Sequence, residues 1–346
     1  MKFPGTSLLT PFVALLNVVS AAPTTSDSLD SRATTAASAA GYFSVTFIGD
    51  QPSIFAHVAD AGSESTFTNL NGGNPILVPT QGQKGVRDPY LVKSPAGDQF
   101  WIIGTELNIG ALNNNWDLST RNGSTSIYVW SSSDLVTWST DSLVDVMPKS
   151  EFNAGMVWAP SAVWDAAANS YAVFWASRVY AESDTSRSGS AGDDTIYYAH
   201  TSDFVTFTTP QIWLAPGYSV IDQEILPLDG SNYVRFIKDA VQNKVYTERS
   251  STGLFGSWTR IDANNFVVNE VREGPAVYRD IRDANKTWLW LDNYSGQGSY
   301  EAYYNDDLTK NVWTLASPEL SPFGMRHGAI QQVTQVQLDA LRAKWA

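Results

Sequence analysis

Ile127-Tyr128-Val129-Trp130-Ser131-Ser132-Ser133-Asp134-Leu135-Val136-Thr137-Trp138 reads as a strand, a tight Ser/Asp turn and a closing aromatic residue. The pattern returns as Ile196-Tyr197-Tyr198-Ala199-His200-Thr201-Ser202-Asp203-Phe204-Val205-Thr206-Phe207. Looser copies cover residues 246–258, with Ser250-Ser251-Thr252 at the turn, and residues 303–313, with Asp306-Asp307 and Trp313. A degenerate copy fits residues 57–70. Successive copies are separated by the length of one four-stranded blade plus insertions. One such unit cannot bury both of its faces, so the copies must pack side by side and the ring must close. An all-β repeat of this kind predicts a five-bladed β-propeller.

The rest of the chain agrees. Short β-branched and aromatic runs bounded by polar turns occur at 43–48, 102–104, 171–176, 195–201, 233–238, 244–249, 287–292 and 300–304. The end differs. Thr334 and Gln337 have capping-box spacing, and Val336, Leu338, Leu341 and Trp345 follow near helical period, which predicts a short C-terminal helix on the outside of the ring.

At the other end, Lys2 precedes an interrupted apolar run over 8–19, then Val19-Ser20-Ala21. This is the pattern of a secretory signal peptide over 1–22, so an extracellular protein is expected. Residues 23–40 are Thr/Ser/Ala-rich without hydrophobic period and are expected to be a disordered leader. That leaves 41–346 as a single β-propeller domain.

Composition narrows the partners. The chain has 346 residues and a formal net charge of −13, which argues against nucleic acid and anionic membranes and favours a neutral substrate. It contains no cysteine, so disulfides, thiolate metal sites and cysteine nucleophiles are excluded. The 13 Trp, 15 Tyr and 15 Phe serve the core first, with some rings left to wall a sugar site. A monomer is expected.

Three acids stand where a strand would ordinarily place an apolar residue. They are Asp88 in Arg87-Asp88-Pro89, Asp222 in Ile221-Asp222-Gln223, and Glu273 in Arg272-Glu273-Gly274-Pro275. Innermost propeller strands line one central channel, so acids on different blades meet there. Asp88 would come from the first blade, Asp222 from the third and Glu273 from the fourth, while Trp158 in Trp158-Ala159-Pro160 opens the inner strand of the second. Such a set can protonate one group and activate water at another. Glu224, two residues from Asp222, is expected on the same strand face and competes for its role. Glu106 and Asp292 are lesser candidates.

Arg87-Asp88-Pro89, Trp158-Ala159-Pro160, Ile221-Asp222, Glu273-Gly274-Pro275 and Arg326-His327-Gly328, in this order, resemble glycoside hydrolase family 43 over about residues 41–346. The resemblance implies Asp88 as general base, Asp222 as modulator of the acid's pKa, Glu273 as general acid, and inversion at the anomeric carbon. It needs no cofactor, although a comparable histidine in some relatives helps hold calcium through waters, which makes His327 a metal candidate. Ser161 departs from the acid that many members carry after Trp-Ala-Pro.

Arg87, Trp158, Arg272 and Arg326 are the expected substrate-binding residues. Asn122, Asn285 and Asn293 begin N-glycosylation sequons. The substrate implied is a neutral plant cell-wall glycan, α-L-arabinofuranosides first, with β-xylosides and galactofuranosides as alternatives. A non-catalytic sugar-binding propeller is disfavoured, because the acids lie outside the repeat. Long polar insertions at 107–125 and 179–194 are placed to wall a pocket, which favours exo action.

Overall fold

The computed structural model describes residues 38–345 apart from Asp50 and Gln297. The expected signal peptide and most of the leader lie outside the described residues. The described residues form twenty strands in five four-stranded antiparallel sheets, a five-bladed β-propeller. β1 (Ala39–Ile48), β2 (Gln51–Asp60) and β3 (Thr68–Asn69) come first. The first complete blade is β4 (Val86–Lys93), β5 (Phe100–Glu106), β6 (Ser126–Ser132) and β7 (Ser142–Asp145), with α1 (Trp116–Arg121) between β5 and β6. After α2 (Lys149–Phe152) come β8 (Trp158–Asp165), β9 (Ser170–Ser177), β10 (Thr195–Thr201) and β11 (Gln211–Leu214). The third blade is β12 (Val220–Pro227), β13 (Tyr233–Asp239), β14 (Lys244–Ser250) and β15 (Thr259–Arg260). The fourth is β16 (Glu273–Arg279), β17 (Thr287–Asp292), β18 (Tyr300–Asn305) and β19 (Thr314–Ser317). β20 (Met325–Thr334) then pairs with β1, so the fifth sheet takes its inner strand from the end of the domain and the other three from its start. Ala39 and Ala40, expected in the leader, open β1 instead, with Ala39 opposite Thr334.

Every copy of the sequence repeat lies on the third strand of a sheet: β6, β10, β14, β18 and β2. The turn explains its composition. Asp134 Oδ1 accepts from the amides of Val136 and Thr137 at 2.9 and 2.7 Å, and Asp203 Oδ1 accepts from those of Val205 and Thr206 at 2.8 Å each. These bonds hold the next residue, Leu135 or Phe204, at positive φ with its side chain buried. There it joins one of five apolar clusters, each shared by two adjacent sheets, and the closing aromatics Trp138, Phe207, Trp258 and Trp313 pack against the same clusters.

α3 (Gln335–Trp345) starts at the expected capping box: the Gln337 amide donates to Thr334 Oγ1 at 3.3 Å, and the Thr334 amide to Gln337 Oε1 at 3.0 Å. It packs on β1 and β20 and sends Leu338 and Leu341 into the cluster between the closing sheet and the first blade. No helix of the described residues is long and apolar enough to cross a membrane.

Candidate active site

All five inner strands break register near the same end. Pairing shifts between Arg87 and Tyr90 on β4, Trp158 and Ser161 on β8, Ile221 and Glu224 on β12, and Glu273 and Ala276 on β16. On β20 the shift falls between Arg326 and Ala329, opposite Phe47 and Val45. These are β-bulges, which bend a strand and re-aim its side chains. Equivalent positions follow. Arg87, Trp158, Ile221, Glu273 and Arg326 are the last paired residues before the bulge, and Asp88, Ala159, Asp222, Gly274 and His327 come next. In four sheets that second residue has positive φ, 50°, 49°, 52° and 53° in chain order from Asp88 to Gly274. For a residue with a Cβ this conformation costs roughly 1–2 kcal/mol. Thr105 offsets part of it by accepting from the Ala159 amide at 2.8 Å and donating to Asp88 Oδ2 at 2.9 Å.

The first-position residues, with Asp88, Asp222 and His327, line one cavity of about 540 Å³ at the channel mouth. This is an ordinary size for a small-molecule site. Gly49, Leu107, Ile109, Asn114, Trp116, Lys238, Asn243 and Tyr294 complete the wall. Each acid meets a different field. His327 Nδ1 lies 3.2 Å from Asp88 Oδ1. Burial pushes the Asp88 carboxyl up, but the hydrogen bond and charge of His327, with Arg87 and Thr105, bring it below the usual range. Burial, aided by the charges of Glu273 and Asp88 against those of His327 and Lys238, pushes Asp222 up to about 6. Its Oδ2 accepts from the Gly274 amide at 3.2 Å. Burial alone would pull the His327 imidazole down, yet Asp222, Asp88 and Glu273 hold it up at about 9.

Glu273 sits between two cations. Lys238 Nζ donates to its Oε2 at 2.6 Å, and Arg326 NH2 is 3.6 Å from its Oε1. Lys238 lies over Tyr294 at 4.6 Å, and Tyr294 donates to Asn243 Oδ1 at 3.1 Å. Arg326 also donates to both oxygens of fully buried Asp292 at 2.7 and 2.6 Å. The cations Arg87, Lys238, Arg326 and His327 are thus matched by Asp88, Asp222, Glu273 and Asp292, and the mouth suits an uncharged ligand.

Several expectations are corrected. Arg272 is turned away from the cavity and donates to both carboxylate oxygens of Glu301 at 2.9 Å each, so it braces the blade rather than binding substrate. Glu224 does not share the face of Asp222. The bulge at Asp222 breaks the alternation and leaves Glu224 beside the Tyr90 hydroxyl, at 3.4 Å, lining a cavity of about 460 Å³ at the other end of the channel. Glu106 is structural, accepting from the Gln83 amide at 2.8 Å and from Ser124. Asn293 is buried and donates to Glu301 Oε1 at 3.0 Å, so its sequon is closed by the fold, whereas Asn122 and Asn285 are exposed. The 179–194 insertion does not line the cavity. Among the described residues no group of three or more His, Asp or Glu side chains gathers to hold a metal ion directly.

Lys238, Thr105 and Tyr294 escaped the sequence reading. Lys238 and Thr105 lie on second strands in runs that carry no motif, and Tyr294 lies on a connecting segment inside a sequon whose pattern says nothing of a sugar site.

The family model described as "probable glycosyl hydrolase domain", of the glycosyl hydrolase 43-related group, matches residues 37–339. An α-L-arabinofuranosidase of Bifidobacterium longum subsp. longum is 32% identical over 211 residues, 58% of this chain and 19% of that protein. The chain therefore spans about a fifth of the length of the curated relative it matches. Among solved structures, a thermostable family-43 glycoside hydrolase superposes with TM-score 0.50 at 16% identity over 70% of this chain and 78% of the other. An exo-β-1,3-galactanase of Phanerochaete chrysosporium gives TM-score 0.49 at 13% identity over 68% and 51%.

Proposed function

Because the chain belongs to the glycosyl hydrolase 43-related family and is a glycosidase, we propose that it is a secreted, inverting α-L-arabinofuranosidase that removes arabinose from neutral plant cell-wall glycans. The observation that carries the reading is the convergence of Asp88, Asp222 and Glu273 in one cavity, each in a different electrostatic setting. The curated relative supports the choice of sugar.

Asp88 is the general base. Its ionised form is favoured by His327 and Arg87, and it takes a proton from the water that attacks the anomeric carbon. Glu273 is the general acid and delivers a proton to the departing glycosidic oxygen as the bond breaks. Asp222 modulates that step. Its Oδ2 accepts from the amide of Gly274, the residue after Glu273, so it stands beside the acid on the neighbouring inner strand. Arg87, Arg326 and Trp158 hold the sugar by hydrogen bonds and by an aromatic wall. Asn122 and Asn285 are the sequons open to glycosylation in a secreted chain.

The test uses leaving groups. An alkoxide needs the proton from Glu273, whereas a nitrophenolate leaves without it. Glu273→Gln should lower kcat by about 10²–10⁴-fold on an arabino-oligosaccharide, and far less on nitrophenyl α-L-arabinofuranoside. Equal losses on both substrates remove Glu273 from the acid role. A wild-type protein that releases no arabinose from either removes the arabinofuranosidase reading.

A further inference from the structure

The proposed mechanism leaves one part of the cavity wall unused. The connection from β5 to β6 carries Leu107, Ile109, Asn114 and Trp116 into the wall. Leu107 and Ile109 are buried, as apolar residues should be. Trp116 is not: 48% of it is exposed, although it lines a cavity. A single exposed apolar residue needs no explanation by itself, but this ring is exposed within the cavity that holds the three acids, where a ligand would meet it.

The ring is nevertheless held in place. It packs edge-on against Trp158 at 6.1 Å, and the Arg87 guanidinium lies 5.6 Å from its centroid while also covering Phe47 at 4.2 Å. Asn115 Oδ1 caps α1 by accepting from the Leu118 amide at 2.9 Å. At the other end of α1, Arg121 NH1 donates to the carbonyls of Arg187 and Gly189 at 2.9 and 2.8 Å. Arg187 Nε donates back to the Arg121 carbonyl at 2.7 Å. The 179–194 insertion therefore buttresses the helix that carries Trp116.

Beside the main cavity lies a second chamber of about 240 Å³, lined by Pro52, Asn108 and Gly110 together with Gly49, Arg87, Ile109 and Asn114. The last four also line the main cavity, so the two chambers share a wall. Asn114 holds its place in that wall at φ 57°, next to Asn113 at φ 54°. Two successive left-handed residues are a costly arrangement that persists where the surroundings enforce it.

Resting on the glycosidase reading above, we infer that Trp116, Asn114 and the side chamber form the subsite for the sugar unit on the leaving side of the scissile bond. The exposed face of Trp116 takes the C–H face of that sugar, Asn114 meets its hydroxyls, and Arg87 stands between the two sugars. The enzyme is then selective for arabinofuranose carried on another sugar over arabinofuranose on a small aglycone.

The full chain and its Trp116→Ala, Trp116→Tyr and Asn114→Ala variants should be compared on α-1,5-arabinotriose and on methyl α-L-arabinofuranoside. The methyl group is too small to reach the ring. Trp116→Ala should lower kcat/KM about tenfold more on the triose than on the methyl glycoside, mainly through KM, as expected for one lost aromatic contact. Trp116→Tyr should restore most of the difference, and Asn114→Ala should show a smaller loss of the same kind. A triose-to-methyl ratio unchanged from wild type in both Ala variants overturns the subsite while leaving the arabinofuranosidase reading intact. A wild-type protein inactive on both sugars overturns the reading itself, and the subsite with it.

Discussion

A single buried hydroxyl joins the two strands that carry Glu273 and His327. Tyr300, the first residue of β18, is fully buried. Its hydroxyl oxygen accepts from the Gly328 amide at 2.6 Å and donates to the Gly274 carbonyl at 3.0 Å. Gly274 directly follows Glu273, and Gly328 directly follows His327. Tyr300→Phe keeps the ring against Trp290, 5.4 Å away, and removes only the oxygen. It leaves one buried donor and one buried acceptor unpaired. Each such group costs about 1–3 kcal/mol, so the variant should lose about 2–6 kcal/mol of stability. For a chain of this length that lowers the thermal midpoint by about 3–9 °C. The two bulges also lose their common tie. Misplacement by about 1 Å costs around a hundredfold in rate, so kcat on nitrophenyl arabinofuranoside should fall about 10- to 100-fold with KM little changed. Calorimetry at neutral pH and initial rates well below the new midpoint measure both. A midpoint within about 1 °C of wild type refutes the hydrogen-bond account. A lowered midpoint with full kcat shows that Lys238 and Arg326 position Glu273 without help from Tyr300.

Two further outcomes depend on charge. The Asp222 carboxyl is pushed up to about 6, so the acid limb of the pH–rate profile should fall near that value and disappear in Asp222→Asn. An acid limb that stays in place in the variant excludes Asp222 as modulator. The His327 imidazole is held at about 9, above its usual value of about 6.5. A group raised on folding stabilises fully below its unfolded pKa and loses that contribution as pH rises through the folded one. Unfolding free energy in urea should therefore drop by about 3 kcal/mol between pH 6.5 and 9.5, and the drop should be absent in His327→Gln. The downward shift of Asp88 is largely the same contact viewed from its partner and is not added. An identical pH dependence in variant and wild type means that Asp88 and His327 do not pair in solution.

The repeat was legible because its information is local: the Ser/Asp turn closes within a few residues, and the aromatic that packs between sheets follows at fixed distance. The C-terminal helix was legible for the same reason, since both halves of its capping box lie within four residues. Arg272 and Glu224 misled because neighbours in sequence were assumed to share a site, and a bulge beside each acid undid that assumption. Asn293 satisfied a three-residue pattern that carries no record of burial. Lys238 and Tyr300 were invisible because their partners stand on other strands, 35 and 26 residues away.

What the bulges do explain is which acid stands where. In four sheets the residue after the last paired position has positive φ. Aspartate tolerates that region far better than glutamate, because its short side chain can bond to the nearby backbone. Asp88 and Asp222 occupy this position. Glu273 stands one place earlier, where the strand is still paired and a longer side chain costs nothing in backbone energy. The fourth blade then has glycine where the others have a side chain, and the space is used: a Cβ on Gly274 would lie 2.6 Å from His327 Cγ. The absence of that one carbon lets the imidazole sit against the fourth blade, within reach of Asp88 and in the field of Asp222 and Glu273. The glycine of Glu273-Gly274-Pro275 is therefore part of the charge arrangement as well as of the turn.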